Sequence, residues 1–311
     1  MRPNASLRVY ILNWNSGALG ATCLDAVLRS TGVRPDPIVI DNASTDGSRA
    51  RLAEMVGTER VIALGENRGY AGGMNVALED LRRSGLEYGL LLTQDVIPEP
   101  DALARLVDAM CADPGAGVVG PVIVYRERPE RILGAGGIID RRTVRAPCLR
   151  TVQRARPYPV DWLDGCCLLV RSAAAQAAGG FDEAYFMYYE ETDFCHRVRR
   201  RGWSAVLAPD ALVHHDKSAV PSRAYYFYMT RNRYRFWQKN FGIGTPRVTL
   251  SVAEETARVF ASWMRSLLVP SRWPERTERY QRLRGQARGA IAGTAAHLRG
   301  RYGPMQGRAD G

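Results

Sequence analysis

The order of elements predicts an α/β fold: a doubly wound sheet of mixed strand direction with a C-terminal helical appendage. Three observations carry this expectation. Short apolar strands alternate with helix-spaced segments through the N-terminal part of the chain, the pattern of a parallel sheet. Three of these strands leave into polar turns, Asn13-Trp14-Asn15, Asp41-Asn42-Ala43 and Thr93-Gln94-Asp95, and open α/β sheets bind their ligands at the carboxyl ends of strands. The run Leu90-Leu91-Leu92 is wholly apolar, as suits a central strand buried on both faces. Pro98 stops it, so Asp95 stands at its carboxyl end. The same carboxylate could instead cap a helix starting near Glu99.

Residues 7–13 give the first strand, and Leu19, Cys23, Ala26 and Val27 fall at helical spacing behind it. Residues 38–41 form a second strand ending in Asp41, and the segment from Asp41 to Ser48 offers several helix-capping side chains. A third strand, 60–63, leads through Asn67-Arg68-Gly69-Tyr70-Ala71-Gly72-Gly73-Met74-Asn75 into a helix expected over 74–84. These glycines match neither GxGxxG nor the Walker pattern, which disfavours dinucleotide and P-loop binding. They do permit close backbone approach beside a helix N-terminus, where amides and the helix dipole favour phosphate. Any one of these features alone is more often structural. In series on one sheet edge they point to a nucleotide.

The stretches VYILNWNS, IVIDNASTDGS, NRGYAGGMN and LLLTQDV, in this order and spacing, resemble the nucleotide-binding half of family-2 glycosyltransferases, and within them the rhamnosyltransferase-like group. The resemblance implies a GT-A-type, Rossmann-like sheet. It places Asp41 at the nucleotide base with Asn13 and Asp46 nearby. Asn67, Gly69, Gly72, Gly73 and Asn75 would line the donor pocket, together with Thr93 and Gln94. Asp95 would be the surviving carboxylate of a DxD-type motif, holding Mg²⁺ or Mn²⁺. Thr93 stands where the first Asp of that motif often does, and Thr-Gln-Asp departs from the Asn-Pro-Asp of many relatives. One carboxylate plus a diphosphate can still hold Mg²⁺, which keeps several waters.

Beyond Asp95, a helix over 99–111 and a strand over 117–124 continue the core. Residues 126–156 carry nine arginines against Glu127, Glu130 and Asp140, and 126–160 lose periodicity. This basic, irregular excursion either shapes an acceptor site or is a solvated insertion. Trp162 to Val170 reads as an apolar strand opened by a polar turn. Gly179-Gly180-Phe181-Asp182-Glu183 then precedes Glu190, Glu191 and Asp193 at the start of a helix running to about Arg201. Acids there are favoured by the helix dipole; equally, three carboxylates behind aromatic residues raise a pKa towards that of a general base. The stretch resembles the family's GGFDE…F…Y.ED.D…R pattern, which puts the base on Glu191, where relatives usually have Asp, with Asp193 and Glu190 as alternatives. After a strand over 203–208 come His214 and His215. The family pattern selects His215, three residues ahead of Ser218, as a metal or phosphate ligand; a plain hydrogen-bonding role is the alternative. The aromatic helix opening at Tyr225 and ending near Gly242 resembles the family's Tyr-Tyr…Arg-Asn segment, where Arg231 would serve phosphate, although core packing accounts for its aromatics.

Residues 250–268 place Leu250, Ala253, Ala257, Phe260, Met264 and Leu267 on one helical face, with Arg258, Ser262 and Arg265 on another. Such a helix either docks on the catalytic domain or lies in a membrane interface. The expected organisation is a nucleotide-sugar-binding half over 1–97, an acceptor half of the same domain over 98–242, and a basic helical extension over 243–311 whose last residues are expected to be disordered. The net charge of +11 is concentrated in the basic excursion and in residues 240–311, which carry twelve arginines against five acids. That suggests phosphate-rich partners. Nucleic acid is not expected, because no reader motif is recognisable. Six cysteines without CxxC spacing, no signal peptide and no membrane-length apolar run point to a cytoplasmic protein with peripheral contact at the inner, anionic membrane face left open. The expected activity is transfer, with inversion, of a sugar such as rhamnose from a nucleotide diphosphate donor. The acceptor hydroxyl would belong to a glycan, a lipid-linked sugar or a small-molecule aglycone. A lapsed nucleotide-sugar-binding module is the first competitor, and a basic nucleic-acid-binding protein, motivated only by the charge, is the second.

Overall fold

The computed structural model describes residues 6–216, 221–268 and 276–305. Its strands are β1 (Ser6–Asn13), β2 (Arg34–Asp41), β3 (Val61–Ala63), β4 (Tyr88–Thr93), β5 (Val96–Pro98), β6 (Ala116–Tyr125), β7 (Arg128–Gly134), β8 (Tyr158–Val160), β9 (Cys167–Arg171) and β10 (Ser204–His215). Its helices are α1 (Leu19–Leu28), α2 (Ser48–Val56), α3 (Gly69–Ser84), α4 (Ala102–Ala112), α5 (Ser172–Ala178), α6 (Glu190–Arg200), α7 (Arg223–Phe241), α8 (Thr245–Leu268) and α9 (Arg276–Leu298). All the strands join one mixed sheet ordered β3-β2-β1-β4-β9-β6-β10-β5, with β7 on β6 and β8 on β10. Pairs β3-β2, β2-β1, β1-β4 and β6-β10 are parallel, whereas β9 runs antiparallel between β4 and β6.

The apolar runs explain this layout. Leu90, Leu91 and Leu92 of β4 are fully buried, as are Leu168 and Leu169 of β9 opposite them. On one face α1 and α4 deliver Cys23, Leu24, Val27, Leu103, Leu106 and Met110 to the core. Register brings the polar exits to one edge: Asn13 pairs with Asp41, and Leu12 with Thr93. At the far side of the sheet His215 is opposite Val96.

Several expectations are corrected. Helix α3 begins at Gly69 rather than Met74, so Gly72 and Gly73 lie inside it. A Cβ at Gly73 would stand 2.4 Å from a Leu12 methyl; the missing side chain lets α3 pack on β1. The excursion after β6 is more ordered than its composition implied. Arg128–Gly134 pairs with β6, Tyr158–Val160 with β10, and Gly137 bridges both Cys148 and Trp162. The ordering comes from ladder pairing with the neighbouring β6 and the distant β10, which the excursion's own periodicity does not report. The strand expected to end at 208 continues past an irregularity between Ala208 and Leu212 to His215.

The chain divides into two compact units: residues 1–139, 146–183 and 190–217, and residues 140–145, 184–189 and 218–311. The first contains the sheet. The second gathers α7, α8 and α9 with the two short segments, so α7 groups with the C-terminal helices rather than ending the sheet domain near 242. Of the last ten or so residues, where disorder was expected, Met305 is held by its amide donating to Tyr228 Oη, and 306–311 lie outside the described residues. Among the described residues no helix is long and apolar enough to cross a membrane.

Candidate active site

At the donor edge, the exits of β1 and β2 are tied together. Asn13 Nδ2 donates to Asp41 Oδ1 (2.8 Å), Ser44 Oγ (3.0 Å) and Ser48 Oγ (3.0 Å). The second Asp41 oxygen accepts from the Ser44 amide at 3.1 Å, and both Asn13 and Asp41 are fully buried. Asp41 therefore frames the edge from beneath and does not present its carboxylate at the surface. Asp46 is exposed and accepts from the Ser48 amide and hydroxyl and from the Gly17 amide. Those hydrogen bonds, the Ser48 hydroxyl's first, hold its carboxyl below the usual range. Asn67 accepts from Asn42 and from the Gly69 amide, while Asn42 also takes the Arg68 amide. This asparagine pair organises the entry to α3. Asn42 was not singled out by sequence, although it follows Asp41 directly.

Gln94 reaches back to the β1 exit. Its Oε1 accepts from the Trp14 amide and its Nε2 donates to the Trp14 carbonyl at 2.9 Å. With its backbone gripped at both ends, Trp14 remains 46% exposed. An exposed tryptophan held this firmly is a flat surface for a ring, and it was missed among the candidates.

Asp95 lies beside, not under, a helix: α4 starts at Ala102 and Asp101 occupies its N-terminal flank, so the capping alternative falls. The Thr93 hydroxyl donates to Asp95 Oδ1 at 2.6 Å. His215 Nε2 approaches Asp95 Oδ2 at 3.8 Å, brought there by the β5–β10 pairing. Its Nδ1 is buried with no hydrogen-bond partner among the described residues. His214 pairs instead with Glu99 at 2.6 Å. Among the described residues no three His, Cys, Asp or Glu side chains cluster as a closed metal site. Asp95 and His215 nevertheless supply one hard oxygen and one imidazole nitrogen, and a cation taking its remaining ligands from phosphate and water fits that donor set.

The acidic corner is built differently. Thr93 N donates to Cys166 O at 3.0 Å, so the residues just before β9 reach the same edge as Asp95. There Tyr70 Oη donates to Gly165 O at 2.6 Å. A Cβ at Gly165 would stand 3.0 Å from Tyr70 Oη and 3.3 Å from Glu191 Cβ, so glycine is what lets the β9 approach run between them. Of the three candidate acids on α6, Asp193 is fully buried and accepts from Arg197 Nε at 2.7 Å. Glu190 is 4% exposed, and burial followed by the Glu191 charge, with Asp164 and Asp193 adding to it, pushes its carboxyl well up. One Glu190 oxygen has no hydrogen-bond partner among the described residues. Glu191 is the partly exposed member. Burial, then Glu190 and Glu191, likewise push the Tyr70 phenol up. Tyr70 and Asp164 thus belong to this corner. Neither stood out by sequence, because their role depends on β9 folding back.

Asn75 does not line an open cleft. It donates to Phe181 O and Glu183 Oε1, both at 2.9 Å, and accepts from the Phe181 amide. Glu183 also receives Arg68, so the GGFDE turn is latched onto α3. A Cβ at Gly72 would meet the Arg68 Cβ at 2.6 Å, a packing constraint like that of Gly73. In the second unit, Arg231 is 1% exposed and its guanidinium donates to the carbonyls of Ala184, Tyr185 and Gly303. Burial pushes it down to about 10. Asn232 Nδ2 adds the carbonyls of Tyr185, Met187 and Tyr188. Together they hold a loop in which Phe186, Tyr188 and Tyr189 all have left-handed backbones (φ 66°, 66° and 73°). In place of a phosphate, Arg231 binds this strained loop.

The sequence profile of Glycosyl transferase family 2 matches residues 9–177. An N-acetylglucosaminyl-diphospho-decaprenol L-rhamnosyltransferase of Mycobacterium tuberculosis is 33% identical over 213 residues, 61% of this chain and 69% of that protein. Among solved structures, the mannosyltransferase PcManGT from Pyrobaculum calidifontis, in complex with GDP-Man and Mn²⁺, superposes with a TM-score of 0.59 at 19% identity, covering 96% of this chain and 88% of that one. GalNAc-T7 with UDP, GalNAc and Mn²⁺ gives 0.59 at 14% identity over 76% of this chain and 48% of that chain. At such identities these two structures speak to the fold, which is GT-A.

Proposed function

The chain belongs to glycosyltransferase family 2, and from that premise we propose that it transfers a deoxysugar, rhamnose, from a deoxythymidine diphosphate donor to a lipid-linked sugar hydroxyl with inversion at the anomeric carbon. The observation that carries the mechanism is the presence, along one sheet edge, of an Asp95–His215 pair and of a carboxylate corner in which Glu191 is partly exposed whereas Glu190 and Asp193 are buried. The choice of sugar and acceptor class follows the rhamnosyltransferase relative.

In this reading the acceptor oxygen attacks the anomeric carbon as the bond from that carbon to the diphosphate oxygen breaks. The acceptor's proton passes to the Glu191 carboxylate, and the bonding pair leaves with the nucleoside diphosphate. Buried Glu190, favouring its neutral form, keeps a second negative charge away from Glu191. Trp14 offers its face to the nucleotide base. Asp95 and His215 are the residues that would hold Mg²⁺ or Mn²⁺, and such an ion would supply positive charge against the charge developing on the diphosphate. Residues on this edge orient donor and acceptor; general-base action by a positioned carboxylate contributes roughly 10²–10⁴-fold.

The test is a panel of nucleotide sugars read by thermal shift with Mg²⁺ or Mn²⁺, followed by transfer to a polyprenyl-diphosphate N-acetylglucosamine. Stabilisation by deoxythymidine diphosphate rhamnose and appearance of the disaccharide are expected, since a ligand that binds the native state raises apparent stability. Donor binding with neither transfer nor slow donor hydrolysis would favour the lapsed module. Stabilisation by a uridine or guanosine sugar alone would replace the donor.

A further inference from the structure

Helix α8 is turned the opposite way from what its sequence leads one to expect. Its apolar stripe should be the docked one. Instead the face packed inside the second unit is largely polar. Ser251 accepts from Arg233 Nη2 and donates to Thr143 O, both at 2.5 Å, and Glu255 accepts from Arg233 Nη1 at 2.7 Å. Ser262 accepts from Arg279 of α9 at 2.7 Å. Val248 and Val252 are the buried apolar residues of this face. The stripe left outside runs through Leu250 (61% exposed), Ala253, Ala257, Phe260 (49%) and Met264 (39%). Towards the end of α8 it widens: Phe260 contacts Trp263, and Trp263 contacts Tyr280 of α9, each pair with ring centroids 5.9 Å apart.

We infer that this face of α8, with Tyr280 of α9, seats in the headgroup–acyl boundary of an anionic lipid bilayer. Charge chooses the occupant. Arg258 and Arg265 are exposed beside the stripe, and Arg284 and Arg288 continue outward from Tyr280 at helical spacing. Glu254, the exposed acid on α8, is already paired with Arg145 at 3.4 Å. A second copy laid on the same face would bring these arginines against their own kind, whereas anionic headgroups complement them. Aliphatic and aromatic side chains at the centre with arginines at the margin is the arrangement of a helix lying in an interface. Arginine stems can reach outward to phosphate while apolar neighbours go deeper. The inference rests on the surface of the second unit and is independent of the donor's identity.

The experiment is co-sedimentation of the full chain with vesicles of phosphatidylcholine alone and of phosphatidylcholine mixed with phosphatidylglycerol. The double variant Phe260→Ser/Met264→Ser changes only exposed positions, so its thermal midpoint should match the parent. Wild type should bind the anionic vesicles, and the double variant should partition about tenfold less or weaker. Arg258→Gln/Arg265→Gln should lose about fivefold per arginine at low salt and less at high salt. Equal binding by wild type and the Phe260/Met264 variant, or no binding by wild type, would overturn the inference. So would a wild-type dimer in light scattering that the Phe260/Met264 variant abolishes, which would give the face to a second copy. Nucleotide thermal shifts on the same variants should be unchanged whichever way the vesicles fall.

Discussion

The donor edge and the acidic corner lie on one side of one sheet, yet they treat their polar groups in opposite ways. At the donor edge the buried side chains are mostly knitted to one another: the Asn13 amide nitrogen serves Asp41, Ser44 and Ser48, and Asp41 closes the ring on a backbone amide, while Asn13 Oδ1 is without a partner among the described residues. At the corner, Glu190 is buried against Glu191, Asp164 and Asp193 with an oxygen left unmatched. A shared hydrogen-bond network fixes a shape, whereas crowded acids store a protonation preference. The first arrangement suits recognition of an unchanging nucleotide. The second suits a reaction in which a proton changes hands.

If that contrast is right, the largest effect belongs to the corner. Glu191→Gln should lower kcat by about 10²–10⁴-fold with donor affinity near wild type, and Glu191→Asp should keep substantial activity. An unimpaired Glu191→Gln beside an inactive Asp193→Asn or Glu190→Gln would move the base along α6. Next, Asp95→Asn should cost about 10²-fold or more in kcat and weaken donor binding measured with Mn²⁺, but not the weaker binding measured in chelator. Full activity in excess chelator would remove the metal from the scheme. At the donor edge the response should be structural first: Asp41→Ala takes one of three acceptors from the Asn13 amide and the acceptor from the Ser44 amide, and should cost about 1–3 kcal/mol of stability, read by urea unfolding, before any kinetic effect is sought. A mild loss of stability with a large loss of nucleotide affinity would instead make Asp41 a ligand contact.

The smallest effect is also the most specific. The folded Glu190 carboxyl is raised, so the native state binds more protons than the unfolded chain between the ordinary carboxylate range and that raised value. Stability should therefore fall as pH rises through this window and level off above it. In Glu190→Gln that slope should flatten in thermal midpoints recorded across pH, leaving the variant relatively more stable at the alkaline end. An unchanged slope would mean that Glu190 is not the stored proton.

Much of this molecule was legible before its structure. The strand exits at Asn13, Asp41 and Thr93 announce themselves through local composition, and the pairing of Asp95 with His215 is implied by motifs at two distant places. Residues 128–134 could not be read as a strand, because their partner β6 supplies the ordering and their own pattern is polar and proline-broken. Tyr70 and Asp164 become site residues only once β9 returns beside β4. The apolar stripe of α8 was readable, but not its direction, since Arg233 decides which face docks by offering Ser251 and Glu255 a buried partner. Arg231 misled for a related reason: an arginine reads as a phosphate ligand until a chain of carbonyls is found to surround it.

The position of β9 has a consequence for how the protein is made. Strand β4 carries three fully buried leucines, yet one of its two edges stays open until residues 167–171 have emerged and inserted antiparallel beside it. During synthesis the N-terminal strands and helices therefore wait, with a hydrophobic edge exposed, for a segment about eighty residues downstream, a separation of the kind that slows folding. An unpaired apolar edge is a template for pairing with other chains. Fragments ending shortly after Pro98 should accordingly aggregate, and the span to Arg171 is the shortest in which the two flanks of β4 can both be closed.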